Sequence, residues 1–144
     1  MKTNTLDRFL KAQDTNYNDA LAEISNGRKT THWMWYVFPQ ISGLGKSEMA
    51  VHYSIADLQE AKAYLQHPVL GKRLEEISSA LLKHKDKSAN EILGSPDDLK
   101  LHSSMTLFSS LEDASTVFKE IIHYFYDDQV DSATIKLLKS DDNL

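Results

Sequence analysis

Glu48 and His52 stand four residues apart, the spacing that brings two side chains onto one face of a helix. A carboxylate and an imidazole so placed can act as general acid or base and orienting partner. The plainer reading is an ion pair at the surface. Just before them, His32 to Ser47 holds both tryptophans of the chain, Trp33 and Trp35, together with Tyr36 and Phe38. The apolar run stops at Pro39 and Gln40, and a polar loop with Gly43, Gly45, Lys46 and Ser47 follows. Flat rings beside a glycine-bearing loop suit a ligand cleft, because rings stack and freed backbone amides make polar contacts. Trp33, Val37 and Phe38 are assigned to the core. Trp35, Tyr36, Pro39 and Gln40 are assigned to the cleft, with Gly43, Gly45, Lys46 and Ser47 as its anion-binding edge. His32 is a second acid/base candidate.

Two further side chains belong to this chemistry. Arg73 follows Gly71 and Lys72 inside an apolar helical stretch, where its planar fork can snorkel to water or clamp a phosphate. Lys100 opens a polar run with His102, Ser103 and Ser104, and one of these groups is expected to face the rings.

Other chemistries are excluded. The chain has no cysteine, which removes disulfides, thiolate nucleophiles and cysteine-ligated zinc. Its six histidines are scattered without metal-ligand spacing, so neither a metal nor another cofactor is expected. The run from Gly43 to Ser47 imitates the end of a P-loop, but Gln40 occupies the position of the first glycine. There is no G-x-G-x-x-G pattern and no G-x-S-x-G pattern. The net charge of −5 argues against duplex nucleic acid as a partner, while a free nucleotide stays open. The densest basic run, Lys83 to Lys87, reads as a solvated helix end. No apolar stretch approaches the roughly 18 residues of a membrane span, and no leader segment is evident. A cytoplasmic location is therefore expected.

The elements that must position these groups are helical. Leu6, Phe9 and Leu10, then Tyr17, Leu21 and Ile24, repeat at three-to-four spacing. So do Leu58, Ala61 and Leu65, and the series Leu70, Leu74, Ile77 and Leu81. Leu99, Met105, Leu107 and Phe108 continue the pattern into Val117, Phe118, Ile121 and Ile122. Gly27 sits at a helix C-terminus. Asp57 with Glu60, and Ser88 with Glu91, have capping-box spacing. Ser95, Pro96, Asp97 and Asp98 form a start signal, and Asp113 and Asp131 can cap two more helices. Pro68 separates two helices. The short segment from Trp35 to Phe38 suits a strand by composition but has no partner, so a helical turn or buried extended piece is expected. The reading is an all-α, compact single-domain bundle of about six to eight helices without a substantial sheet. It spans residues 1–144, with a core at 5–139 and a frayed tail at 140–144.

The strings themselves carry a resemblance. His32 to Gln40, Gly43 to Gly45, His67 to Gly71, Ser95 to Leu101 and Ser103 to Phe108 closely resemble the domain-of-unknown-function family eighteen-ten. This resemblance implies a compact all-α fold and no established activity. The calpastatin label sometimes attached to that family does not suit a chain with a core, because that inhibitor is disordered and repetitive. The order of elements is also similar to the NADAR (YbiA-like) domains, all-α proteins that hydrolyse N-glycosidic bonds in ADP-ribose-linked or riboflavin-pathway compounds. The correspondence is an aromatic-proline segment, a glutamate-bearing helix, Glu60 to Lys62 leading to His67 and Arg73, and a Met105-containing helix. Glu48 would take the glutamate's place, but the lysine that those domains pair with it has no clear equivalent.

Two functions follow as expectations. The first is a binder of a nucleotide or ADP-ribose-type ligand, or a hydrolase of such N-glycosides with Glu48 or His32 as acid/base. The second is a non-catalytic interaction module that shows its aromatic patch to a protein partner. The oligomeric state is not legible.

Overall fold

The computed structural model describes residues 6 to 142, with side chains described through Lys139. Among the described residues there are nine helices and no sheet. The count exceeds the expected range because three elements are single turns: α2 (Met34–Val37), α3 (Glu48–His52) and α6 (Ala89–Leu93). The others are α1 (Asp7–Ser25), α4 (Leu58–Gln66), α5 (Leu70–Leu82), α7 (Asp97–Ser109), α8 (Val117–Tyr126) and α9 (Ser132–Asp142). The strand-like segment is thus the helical turn α2. α9 continues through Asp142, into the tail expected to fray; 143 and 144 lie outside the described residues.

Several boundaries follow the local chemistry of the chain. Gly27 adopts φ +84°, and the amides of Gly27 and Arg28 bond back to Ile24 and Glu23, the paired bonds of a Schellman motif. Ser88 and Glu91 form the complete reciprocal box. At Asp57 the box is partial. Its carboxylate accepts the Glu60 amide at 2.8 Å, but Glu60 turns to the Ala56 amide and to Arg8. Asp131 caps α9 through Thr134.

Two start signals shift. α7 begins at Asp97 rather than at Ser95, with Pro96 in the cap position and no side-chain cap. Gly94 turns the chain at φ +79°, and its carbonyl receives the Asp98 amide instead. α8 begins at Val117, with Thr116 as its cap, so Asp113 stays in the preceding loop. The serine of that loop, Ser115, accepts the Val117 amide.

The core sits between α1, α5, α7 and α8, with α4 closing one side. α7 is buried on most of its surface: Leu101, Met105, Leu107 and Phe108 are fully enclosed, so are Ser104 and Thr106, and Ser103 is buried. Ser103 and Thr106 return hydrogen bonds to carbonyls one turn back, which lets hydroxyls share an apolar interior. Phe9 meets Tyr64 edge-on at 5.1 Å, and Tyr64 leads to Phe108 and then Phe118. α4 and α5 meet at the His67–Pro68 corner. A Cβ at Gly71 would lie 2.0 Å from the Leu65 carbonyl oxygen, so only glycine lets the two helices approach there.

The basic run after α5 is not merely solvated. His84 contacts the Ser25 carbonyl at 3.1 Å, and Lys87 donates to the Gly27 carbonyl at 3.3 Å. These groups cover the C-terminus of α1, where the helix dipole favours cations. No helix among the described residues is long and apolar enough to cross a membrane.

Candidate functional site

The segment before α2 is anchored by Glu23, on the last turns of α1. Its carboxylate accepts the amides of Thr30 and Thr31, the Thr31 hydroxyl and the Trp33 indole N–H, all at 2.6–3.0 Å. Burial alone would raise the Glu23 pKa. Hydrogen bonds from Thr31, Thr30 and Trp33 outweigh it and hold the group at about 2. Trp33 is thereby fixed with its ring fully buried, whereas Trp35, two residues on, remains half-buried.

Each tryptophan carries a lysine. Lys29 Nζ lies 5.2 Å from the Trp33 ring centroid, and Lys100 Nζ lies 5.2 Å from that of Trp35. Asp97, on the first turn of α7, joins them: Oδ2 is 2.8 Å from Lys29 and Oδ1 is 3.8 Å from Lys100. The two lysines differ in what holds them. Lys29 is 7% exposed with a close partner, and Lys100 is 24% exposed with a distant one. Lys100 is therefore the cation that can change partner at small cost, since a long, wet ion pair is worth only about 0–1 kcal/mol.

The other residues assigned to the cleft fall on different surfaces. Tyr36 is buried; its hydroxyl bonds with Asn16, and its carbonyl accepts from Gln13 at 2.7 Å. Pro39 is buried, and Gln40 is half-buried with its carbonyl receiving the Ile55 amide. That bond and the one the Ser42 amide donates to the Ile55 carbonyl tie the chain before the loop to the chain after α3. Gly43, at φ +107°, packs on Leu137, and a Cβ at Gly45 would strike Ala50 at 2.4 Å. Both glycines therefore have a packing role. Ser47 caps α3 through the Ala50 amide, as its type suggests. Lys46, Glu48, Met49, Val51 and His52 line one shallow depression. His32 is exposed, and its carbonyl accepts from the Tyr36 hydroxyl.

Arg73 faces α1. It bonds Gln13 Oε1 at 3.4 Å and Asp14 at 3.2 Å, with its guanidinium 5.1 Å from the Tyr17 ring centroid. Gln13 bonds the Tyr36 carbonyl and the Tyr64 hydroxyl, so Arg73 and Tyr36 are linked through one buried amide. Burial, then Glu76, pushes the Tyr17 hydroxyl pKa well above its ordinary value, so Tyr17 acts as a neutral donor.

The structure thus groups Trp35 with Lys100, Tyr36 with Arg73, and Lys46 with Glu48. Sequence reasoning missed Asp97 as the bridge, Lys29 as its second cation, and Glu23 as the anchor. Only the Asp97–Lys100 spacing carried a signal, being one helical turn. Arg8 was also missed. It donates to the carbonyls of His52 and Ser54 and pairs with buried Glu60 at 3.2 Å, tying α1 to the end of α3. Among the described residues, no group of three or more metal-ligating side chains is gathered in one place.

Fold and site together define a compact all-α domain with a lysine-covered, half-exposed tryptophan at its surface. The chain belongs to the family described as protein of unknown function DUF1810, whose model matches residues 3–138. It is similar to the crystal structure of the conserved hypothetical protein Rv1873 from Mycobacterium tuberculosis. The two share 47% identity over 93% of this chain and 96% of that one, with a TM-score of 0.91. No curated protein matches.

Proposed function

We propose that the protein binds a nucleotide-type ligand, with its ring against Trp35 and its phosphate at Lys100. The observation that carries this reading is Lys100 Nζ held over the half-buried Trp35 ring with a carboxylate no closer than 3.8 Å. A cation over an exposed ring contributes only about 0.5–1 kcal/mol, while a hydrogen bond to a charged phosphate contributes about 1.5–3 kcal/mol. An incoming anion therefore displaces the weaker contact. Stacking of a base on the indole adds about 1–3 kcal/mol.

Thermal-shift and calorimetric titration with AMP and ADP-ribose test this. At 100 times Kd a ligand adds about 2.7 kcal/mol of stability. Lys100→Ala should weaken binding by about 1–3 kcal/mol. Unchanged binding in both Lys100→Ala and Trp35→Ala overturns the reading. Lys46 is the competing anion position. α3 has one turn and so contributes little dipole there. Loss of binding in Lys46→Ala alone would move the phosphate to that loop.

N-glycoside hydrolysis, the activity of the NADAR domains, with Glu48 or His32 as acid/base, is a separate extension: for Glu48 the ligand would sit at the depression that Glu48 shares with Lys46 rather than on Trp35. Release of free base from an ADP-ribose-type substrate, abolished in Glu48→Gln or His32→Gln with binding retained, is the result that supports it.

A second reading has its own observation. α3 exposes Met49 (39%) and Val51 (59%), rimmed by Lys46, Glu48 and His52. We infer a protein-contact role for this face if Val51→Asp abolishes an association that Trp35→Ala leaves intact.

A further inference from the structure

Beside the Trp35 site lies a polar groove of about 440 Å³, between the C-terminus of α1 and α6. Arg28, Lys29, Lys87 and Asn90 line it, and Gly94 forms part of its floor. Lys29 is held by Asp97, which leaves Arg28 and Lys87 as the cations on the groove; two on one groove matter in a chain of net charge −5, because diffuse attraction to anions is absent. The acid in the lining, Glu91, has one oxygen occupied by the Ser88 amide at 2.8 Å. Lys87 donates to the Gly27 carbonyl and Asn90 to Asp98, each at the long end of the hydrogen-bond range. Arg28 is exposed. Its backbone is held by the Schellman bond to Glu23, which sets where the side chain leaves the helix end.

A chain of ion pairs links the groove to the tryptophan. Lys29 lines the groove and pairs with Asp97, and Asp97 pairs with Lys100 over Trp35. We propose that this groove is a second anion subsite, which takes the distal phosphate of a ligand whose ring rests on Trp35. This rests on the reading above and narrows it: the ligand carries at least two anionic groups, one on each side of Asp97. Arg28 supplies the planar fork, which grips a terminal phosphate through two oxygens.

The test titrates AMP, ADP and inorganic pyrophosphate into the wild-type protein, Arg28→Glu, Trp35→Ala and a control reversal at exposed Lys119, Lys119→Glu. Circular dichroism confirms that each variant is folded. Arg28→Glu should weaken ADP by about tenfold or more, the loss of one charged contact, and leave AMP within about twofold. Lys119→Glu, with the same change in net charge, should leave both unchanged. Trp35→Ala should weaken both nucleotides. If Arg28→Glu binds ADP as the wild type does while Trp35→Ala is impaired, the subsite is overturned and the Trp35 reading stands. If the wild type binds neither nucleotide, the Trp35 reading falls, and pyrophosphate decides the groove. Saturable pyrophosphate binding lost in Arg28→Glu upholds an anion site there, and its absence removes it.

Discussion

The indole N–H of Trp33 donates to the carboxylate of Glu23 at 2.9 Å, and that bond separates two tryptophans of nearly equal position into different roles. Trp33 is tied inward to α1. Trp35, with no such tether in the described contacts, keeps a face toward the surface and toward Lys100.

The tether makes stability depend on acid. Glu23 has an ordinary value of 4.5 and a folded value of about 2. A depressed carboxyl stabilises the fold above its unfolded pKa and loses that contribution as pH falls through the folded one. Stability should therefore drop between about pH 4.5 and pH 2, by about 1–3 kcal/mol from this group after allowance for its partial exposure. Urea denaturation at pH 5 and pH 3 checks it. Glu23→Gln should show a smaller difference between the two.

Truncation should distinguish the tryptophans. Trp33→Ala removes a fully buried ring and should cost about 3–5 kcal/mol. Trp35→Ala, at a half-buried position, should cost less. In single-tryptophan proteins, iodide should quench Trp35 faster than Trp33. The reverse order would invert the assignment.

Arg8, partly exposed, and the buried Glu60 should behave as a coupled pair. Removing Arg8 leaves the Glu60 carboxylate enclosed with only the Ala56 amide and its own helix for compensation. Arg8→Met should cost about 3–5 kcal/mol, and adding Glu60→Gln should recover part of it. Chemical denaturation of the two single variants and the double variant gives the coupling. Strict additivity would show that the pair is not coupled.

Gly71→Ala should destabilise despite its helical position. Alanine in a helix gains about 0.5–1 kcal/mol over glycine, but a Cβ here meets backbone rather than a movable side chain. The overpacking term of about 1–3 kcal/mol should prevail. A raised melting temperature would show that the α4–α5 corner yields.

Local signals are legible in the sequence where the physics is local. The Schellman turn at Gly27, the box at Ser88 and Glu91, and the cap at Asp131 each depend on residues within one turn. The core stripes depend only on helical period, so the all-α fold follows from the chain's own pattern. Ser95 failed as a cap because Gly94, at positive φ, redirected the carbonyl that receives the Asp98 amide.

The site is another matter. Trp35 and Lys100 are 65 positions apart, and nothing in either segment specifies the other. Lys29 lies beyond the C-terminus of α1, Asp97 on the first turn of α7. Only the bond from the Lys29 amide to the Ile92 carbonyl of α6, with α6 packed on α7, brings their charges to 2.8 Å. Composition and spacing determined that the chain forms helices, which faces they bury, and that residues 32 to 47 hold unusual side chains. Tertiary structure decided which ring is buried and which cation covers the exposed one. Helix and cap formation is set by neighbours in sequence, whereas a surface site is set by side chains whose meeting depends on every helix between them.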